Sequence, residues 1–345
     1  MTGATRVFVE APARLHFGML DLGGSLGRRF GGIGAAVPTP SVLVSAVAAP
    51  TLSLHAAWPD PPDAGPDSAL ARDPAAAAMN AAQRVVAHYG IRGGARVTLH
   101  RVIPAHQGLG SGTQIALATA RAVAELYDVP RTPIELARII GRARRSAIGT
   151  YVFGQGGFIL EGGRRADHDQ PAPLLARIPV PPEWRCVLVI PAAQPGVSGD
   201  AEVAAFATLP TPPPAEAARV AHLTLMALLP ALVERDFAAF GAALTEIQRI
   251  NGGWFAAAQG GAFAPGPTAR LVRTLLGHGA TGVGQSSWGP AVYALAPDAT
   301  AGAALAVFLR QQPEIQPPSA PPGTHPGVVY EGPFSDTGAR IWHAS

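Results

Sequence analysis

The segment Pro104-Ala-His-Gln-Gly-Leu-Gly-Ser-Gly-Thr-Gln114 restricts this chain more than any other. An alternating stretch at 97–103 predicts a strand before it, and residues 113–127 have helix composition. A strand ends, a glycine loop turns and a helix begins. Gly108, Gly110 and Gly112 permit positive φ and close backbone approach. The first N–H groups of a helix lack intrahelical partners, and the dipole behind them favours negative charge. Such a junction is an anion seat, and Ser111 and Thr113 can add hydroxyl donors. The competing reading is a plain glycine turn whose Ser or Thr caps the helix.

The charge make-up suits an anionic small molecule. All 26 basic residues are Arg, and Lys is absent. That excludes a Schiff-base lysine, a pyridoxal-phosphate anchor and a Walker-type phosphate lysine. Guanidinium groups pair with phosphate and carboxylate in a fork geometry. The formal net charge is +3, with no basic run or aromatic-interleaved patch, so no nucleic-acid partner is expected. The single cysteine, Cys186, excludes internal disulfides and cysteine-rich zinc or iron–sulfur sites, and its apolar neighbours predict a core position. The first 22 residues lack a signal-peptide pattern, and no stretch approaches 18 uncharged apolar residues without Gly or Pro. A soluble, cytoplasmic protein with no membrane partner is expected.

Hydrophobic residues make up 48% of 345, enough for one large domain or two ordinary ones. Strands are predicted at 6–10 and 14–19, broken at Ala11-Pro12. A glycine-rich loop at 23–34 carries Arg28 and Arg29. Further strands are predicted at 41–46, 52–55, 156–162, 186–190 and 291–296, with short ones near 328–330 and 340–342. Helices are predicted at 74–89, 133–144, 201–207, 216–234, 237–250, 268–276 and 299–310. Residues 58–73 read as a surface loop, and the proline-rich 171–182 as a linker or edge loop. The non-alternating mixture favours a two-domain α+β architecture.

The glycine loop resembles the P-x-x-x-G-L-G-S-S motif of the GHMP kinase superfamily. Ala11-Pro-Ala-Arg-Leu-His-Phe-Gly18 resembles its opening A-P-G-K segment, and Thr281-Gly-Val-Gly-Gln-Ser-Ser-Trp-Gly-Pro-Ala-Val-Tyr293 occupies the place of its third glycine-rich motif. The resemblance implies an N-terminal α/β domain like ribosomal protein S5 (residues 1–175) and a ferredoxin-like C-terminal domain (residues 180–345). Two departures argue against kinase chemistry. Kinases of this group often carry an Asp that acts as base or charge stabiliser where Arg145-Ser-Ala-Ile-Gly-Thr150 has Gly149, and Gly112 replaces the second Ser of the loop. Glycine can neither take a proton nor hold a metal. An ATP-dependent small-molecule kinase is therefore the rival reading. A non-catalytic pyrophosphate-binding protein is another.

The ordered set Arg14–Asp21, Gly31–Gly34, Gly108–Gln114, Arg144–Thr150, Gln155–Gly157, Gln259–Gly261 and Gly284–Pro290 is similar to a non-kinase branch, the β-ribofuranosylaminobenzene 5′-phosphate synthases. That resemblance implies a decarboxylating C-transfer from phosphoribosyl pyrophosphate to 4-aminobenzoate or a hydroxybenzoate, within tetrahydromethanopterin biosynthesis. It also implies a divalent ion, expected to be magnesium with unassigned ligands, and a homodimer. The absence of Lys excludes pyridoxal phosphate.

On this reading Gly108, Gly110, Ser111, Gly112, Thr113 and Gln114 bind the donor's pyrophosphate. Arg14, His16 and Asp21 form the catalytic group, with Arg14 and His16 expected on one strand face. Asp21 competes with a turn-cap role before Gly23-Gly24. Arg28 is a second anion ligand. Arg145 and Ser146 follow a helix end, and Gln155 precedes Gly-Gly where something approaches the backbone. Gln285, Ser286, Ser287 and Trp288 bind the aromatic acid or ribose, with Trp288 stacking on the ring. Asp167-His168-Asp169 reads as a solvated loop.

Overall fold

Alternating apolar residues generate the first strand. Val7, Val9, Ala11, Ala13, Leu15 and Phe17 are all buried, and the alternation runs straight through Ala11-Pro12. Instead of two strands there is one, β1 (Arg6–Asp21), whose register slips between Pro12 and Ala13 and again between His16 and Gly18. Proline lacks a ladder donor, and a bulge absorbs that defect. The computed structural model describes residues 5–57, 69–165, 167–168, 170–193, 196, 199–316 and 327–344.

The loop expected at 23–34 is largely strand. β2 (Arg28–Ala49) pairs antiparallel with β1 along most of its length. Its glycines are there for clearance, since a Cβ on Gly34 would lie 2.6 Å from Ile148 Cγ2 and 2.4 Å from the Leu15 carbonyl oxygen. β2 also pairs with β4 (Gly94–Arg101), β5 (Phe158–Glu161) and β6 (Arg164–Arg165) at successive points. β3 (Ser53–Ala56) runs parallel to β4. β7 (Leu174–Ile178) edges β5 and fills the stretch read as a linker. Residues 58–68 of the predicted surface loop lie outside the described residues, and α1 (Ala69–Tyr89) follows them.

α2 (Ser111–Leu126) packs its buried alanines on β1 and β2. α3 (Pro133–Ile139) starts on a Thr132/Glu135 capping box and stops well short of residue 144. Arg144 and Arg145 therefore do not end a helix. They lie in a loop where Gly141 and Ala143 have positive φ. A helix that the sequence reading missed, α4 (Ile148–Gln155), follows that loop.

The second sheet holds β8 (Arg185–Ile190), β9 (Thr281–Gln285), β10 (Val292–Ala296) and β11 (Val328–Pro333), in the order β11-β8-β10-β9. In chain order that is 4-1-3-2, all antiparallel, which is ferredoxin-like topology. Its first crossover contains α5 (Gly199–Thr208), α6 (Pro214–Leu223), α7 (Leu229–Glu234), α8 (Phe237–Gln259) and α9 (Pro267–Gly277). Its second is α10 (Ala299–Arg310). One π-turn, Thr224–Leu228, joins α6 to α7 just before Pro230, which cannot donate to the preceding turn. By length and composition Pro214–Glu234 could cross a membrane, but it buries Val220, Leu228 and Leu232 in the core.

β12 (Arg340–Ala344) returns to the first sheet and pairs with β1, where Trp342 stacks on Phe8 at 5.2 Å. The two sheets share one core. Phe17 of β1 meets Phe158 of β5 at 6.2 Å and Tyr293 of β10 at 5.0 Å, and Phe158 meets Phe240 of α8 at 6.0 Å. Phe17 is 1% exposed, so its truncation leaves a cavity that neither domain can collapse alone. Phe17→Ala is expected to destabilise the protein by about 3–5 kcal/mol in urea unfolding.

Candidate active site

The cap of α2 decides between the two readings of the glycine loop. Gly110 occupies the N-cap at φ 75° with no side-chain cap, so the first N–H groups of the helix stay open. They face a cleft of about 420 Å³ walled by Gly108, Ser111, Gly112 and Thr113, by Arg14 and Arg142, and by Ser287 and Trp288. Gly108 has φ +75°, and a Cβ there would sit 2.1 Å from the Ser286 carbonyl oxygen. The loop thus lies directly against a turn of the second domain.

Arg14 projects from β1 into this cleft. Its Nη1 donates to the Gly108 carbonyl at 3.1 Å, while its buried Nε has no partner. Among the described residues no carboxylate lies within ion-pair distance of it. Burial pulls its pKa down to about 10, against the pull of Glu202 and Glu161, so it remains a cation at neutral pH. A desolvated guanidinium with a spare donor favours an anionic ligand. Arg142, which the sequence reading did not single out, reaches the same cleft. Its Nη2 lies 3.5 Å from where a Gly112 Cβ would be.

A second cleft opens on the other side of Trp288. α8 shapes it, because Gln248, Asn251, Phe255 and Gln259 recur on one helical face. Asn251 clamps β1 by accepting from Met19 N at 2.6 Å and donating to Met19 O at 3.1 Å. Gln248 donates to Phe17 O at 2.5 Å and accepts from Gln285 N at 2.9 Å. Trp288 packs edge-on against Phe206 at 5.4 Å and Phe255 at 5.0 Å, forming an apolar wall suited to a flat ring. His16 lines this cleft. Its Nδ1 accepts from Gly18 N at 3.3 Å, which leaves Nε2–H as the free donor. Burial, with Arg14 nearby, pushes its pKa down to about 3, so the imidazole stays neutral across the physiological range.

The clefts meet at Ser287 and Trp288, which line both. Ser287 has φ 55°, a left-handed conformation that costs a non-glycine residue of order 1 kcal/mol and clusters at functional sites. Ser286 beneath it is fully buried. Its hydroxyl donates to Gly108 O at 2.7 Å and accepts from His16 N at 3.0 Å, so it is a tie between domains and faces no ligand.

Several residues expected at the site lie elsewhere. Gln114 points beneath the loop and donates to Gly149 O at 2.8 Å. Gln155 is exposed at the end of α4, and Arg28 donates to Gly163 O at 3.1 Å on the sheet rim. Asp21 closes the turn after β1, with Oδ1 accepting from Gly23 N at 2.7 Å and Gly24 N at 2.8 Å, and it lines neither cleft. Arg145 pairs with Glu202 at 2.9 Å and stands over the Phe206 ring at 4.7 Å, at the rim of the anion cleft. Gln285 sits in the second cleft, donating to Gln259 Oε1 at 3.2 Å and Ser287 O at 3.0 Å. Asp167 pairs with Arg165 in solvent, and Asp169 lies outside the described residues.

Gly149 does lie beside the phosphate loop. A Cβ there would be 3.2 Å from Thr113 Cγ2, so the position where the kinase resemblance would put a carboxylate stands against the loop and carries no side chain. Ser146 and Ala147, just before it, are held by Glu161. This buried carboxylate accepts from Ala147 N at 2.7 Å, and Oε1 has no partner. Burial raises its pKa to about 7, against the opposing hydrogen bonds from Ala147 and Ser146 and the pull of Arg14. No group of three or more His, Cys, Asp or Glu poised for a metal occurs among the described residues. The carboxylates of the anion cleft are Glu202, paired with Arg145, and Asp73, which meets His106 at 2.5 Å.

Comparison with known proteins agrees with this geometry. Residues 76–157 match the GHMP kinases N terminal domain, and residues 228–314 match the GHMP kinases C terminal domain. The chain is 34% identical over 316 residues to beta-ribofuranosylphenol 5′-phosphate synthase of Methanothermobacter thermautotrophicus, covering 87% of this chain and 92% of that one. It is 35% identical over 305 residues to the synthase of the same name from Archaeoglobus fulgidus, covering 85% and 88%. In fold it is similar to a homoserine kinase from Cytophaga hutchinsonii (TM-score 0.64, 18% identity, 98% and 97% covered). A mevalonate 5-diphosphate decarboxylase is similar too (TM-score 0.57, 14% identity, 98% and 97% covered).

Two substitutions test these placements. Asn can accept the same two N–H bonds as Asp21, so Asp21→Asn is expected to keep turnover within about threefold of wild type. A hundredfold loss in steady-state turnover would return Asp21 to the catalytic group. Folding raises the Glu161 pKa from 4.5 to about 7, so the folded protein holds that proton more tightly than the unfolded chain. Wild-type stability therefore falls as pH rises through that window, by roughly 3 kcal/mol in total. Glu161→Gln is expected to lack this loss when urea unfolding is compared at pH 5 and pH 8.

Proposed function

The chain belongs to the β-ribofuranosylphenol 5′-phosphate synthase family, ribosyl transferases built on the GHMP kinase fold, and from that premise we propose that it joins phosphoribosyl pyrophosphate to a para-substituted benzoate with loss of CO₂ and pyrophosphate. The observation that carries this reading is the pair of clefts meeting at Ser287 and Trp288. One is walled by an open helix N-terminus and two arginines, and the other, narrower at about 40 Å³, by the edge-packed rings of Trp288, Phe206 and Phe255.

Pyrophosphate sits at the open N-terminus of α2 under Arg14 and Arg142, where backbone N–H groups and guanidinium donors stabilise the charge that develops as it leaves. The departing oxygen takes the electron pair of the bond to C1′ of the ribose. The ring carbon bearing the carboxylate then forms a bond to C1′. Cleavage of the C–CO₂ bond returns its electron pair to the ring and restores aromaticity. A para hydroxyl or amino group pushes electrons toward the attacking carbon. No general base is needed for this sequence, which is consistent with glycine at position 149 and a neutral His16.

The ring occupies the cleft against Trp288, Phe206 and Phe255, with the His16 Nε2–H, Gln259 and Gln285 as polar contacts. The name of the archaeal relatives contains a phenol, so 4-hydroxybenzoate is the first acceptor to try, with 4-aminobenzoate second. Magnesium suits the donor cleft as a companion of the pyrophosphate. Mg²⁺ keeps waters and substrate phosphates and needs only one or two carboxylates. Glu202 and Asp73 are the residues present to assist, and the ion would neutralise charge on the leaving group. We place the enzyme in the cytoplasm, as a homodimer in tetrahydromethanopterin synthesis.

Incubation with phosphoribosyl pyrophosphate, magnesium and carboxyl-labelled 4-hydroxybenzoate or 4-aminobenzoate should release labelled CO₂ and an equal amount of pyrophosphate. Arg14→Gln should lower kcat/KM by about 100-fold or more, because it removes a charge-assisted contact made to the leaving group. ATP turnover with small alcohols, and no CO₂ from either acid, would replace this reading with a kinase.

A further inference from the structure

A third cleft, of about 650 Å³, lies on the far side of Arg142 from the phosphate loop. Its wall comes from the end of α1, the end of α3 and the loop after α3, and it contains Arg138, Arg142, Arg144 and Arg164. Arg84 stands at its edge. Arg84 Nη1 lies 3.2 Å, and Arg144 Nη2 3.7 Å, from the point where a Gly141 Cβ would be. Two guanidinium groups therefore crowd one short piece of backbone, with Arg142 next in sequence.

Among the described residues, no acid lies within ion-pair distance of Arg84, Arg138, Arg142 or Arg144. The one described carboxylate on the wall, Glu135, feels Arg138 but has its oxygens engaged in the capping box with Thr132, and Arg142 feels the like charge of Arg84 more strongly than the pull of Glu202 from the phosphate-loop side. Crowded like charges without a counter-charge are unfavourable in an empty protein and favourable once an anion is bound. The backbone is shaped for it as well. Gly141 (φ 72°) and Ala143 (φ 59°) flank Arg142, and a left-handed Ala is a strain that the surrounding structure must hold in place. The result directs Arg142 so that it lines both this cleft and the phosphate-loop cleft.

We propose that this basic cleft is a second phosphate-binding subsite, joined to the phosphate-loop cleft through Arg142. The ligand chemistry is a phosphate or diphosphate group. It has two sources: the 5′-phosphate of the same donor whose pyrophosphate occupies the loop, or a separate anion such as released pyrophosphate. The inference rests on the phosphate loop holding pyrophosphate, and it does not depend on which bond the enzyme makes.

The test is calorimetric titration of the full-length protein with ribose 5-phosphate, with inorganic pyrophosphate and with 4-hydroxybenzoate. Wild type is compared with the double variant Arg84→Gln/Arg144→Gln. Both side chains are exposed and lie outside the catalytic clefts, and thermal unfolding confirms that the variant is folded. The expected result is ribose 5-phosphate binding at least 10-fold weaker in the variant, with 4-hydroxybenzoate unchanged, which identifies the donor's own phosphate. Loss of a second equivalent of pyrophosphate, with ribose 5-phosphate unchanged, supports the subsite and identifies the separate anion. Both anions binding within twofold of wild type, at unchanged stoichiometry, overturns the proposal. CO₂ release by wild type is measured in parallel. Its absence alongside weakened anion binding removes the proposed reaction and leaves the subsite, whereas its presence with unchanged anion binding removes the subsite alone.

Discussion

Everything at the site hangs on one close approach, the Gly108 carbonyl against Ser286. That oxygen accepts from Ser286 Oγ at 2.7 Å and from Arg14 Nη1 at 3.1 Å. Ser286 also accepts from His16 N, and Arg14 N donates to Leu109 O at 3.1 Å. Three pieces of chain far apart in sequence are thereby locked in one place: β1, the phosphate loop that runs into α2, and the turn after β9. A side chain at position 108 would force the domains apart. The anion seat and the ring cleft are therefore not independent features, because their common wall is this junction.

The junction also shows how a chain whose basic residues are all Arg can present a fixed cation to an anionic ligand without a lysine. Arg14 is anchored by a backbone carbonyl, which fixes one edge of its guanidinium and leaves the rest for the ligand. Arg is suited to this use because it keeps its charge when desolvated, whereas a buried Lys loses its proton readily. His16, two residues along, has been driven the other way and is a neutral donor. Neighbouring positions on one strand thus carry a permanent charge into one cleft and an uncharged hydrogen-bond donor into the next.

The phosphate loop, its helix and three of the four strands of the second sheet were legible in the sequence, because glycine spacing and apolar runs are local signals, whereas β9 lies in a segment that read only as a glycine-rich motif. What was not legible depends on contacts between distant segments. The glycines at 31–34 read as a loop, but they are strand glycines that clear space for α4, which the sequence reading did not foresee. Helix α8 was expected to stop at residue 250, so the stripe Gln248, Asn251, Phe255 and Gln259 went unnoticed, although its spacing was available. Arg145 lies in the matched segment at 144–150, whereas Arg142 lies just before it and carries no sequence signal of its own. Asp21 drew attention by lying in a matched segment, and its side chain is used by the turn.

The same frame that carries phosphoryl transfer in kinases can serve carbon–carbon bond formation, and position 149 shows why little had to change. A kinase must handle the proton of an attacking hydroxyl, and its carboxylate stands beside the phosphate loop for that purpose. A ring carbon that attacks and then sheds CO₂ releases no proton at that step, so a carboxylate there has nothing to accept. In the proposed reaction it would place a negative charge next to the leaving pyrophosphate and raise the barrier to its departure. Glycine removes that charge, and the Gly149 carbonyl is tied down by Gln114. The nearest buried acid, Glu161, has its pKa lifted toward neutrality and its carboxylate engaged by the Ala147 backbone. The acids that line the anion cleft, Glu202 and Asp73, are engaged by Arg145 and His106, so Arg14 and Arg142 have no carboxylate within ion-pair distance among the described residues, an arrangement that suits the departure of pyrophosphate in the proposed reaction.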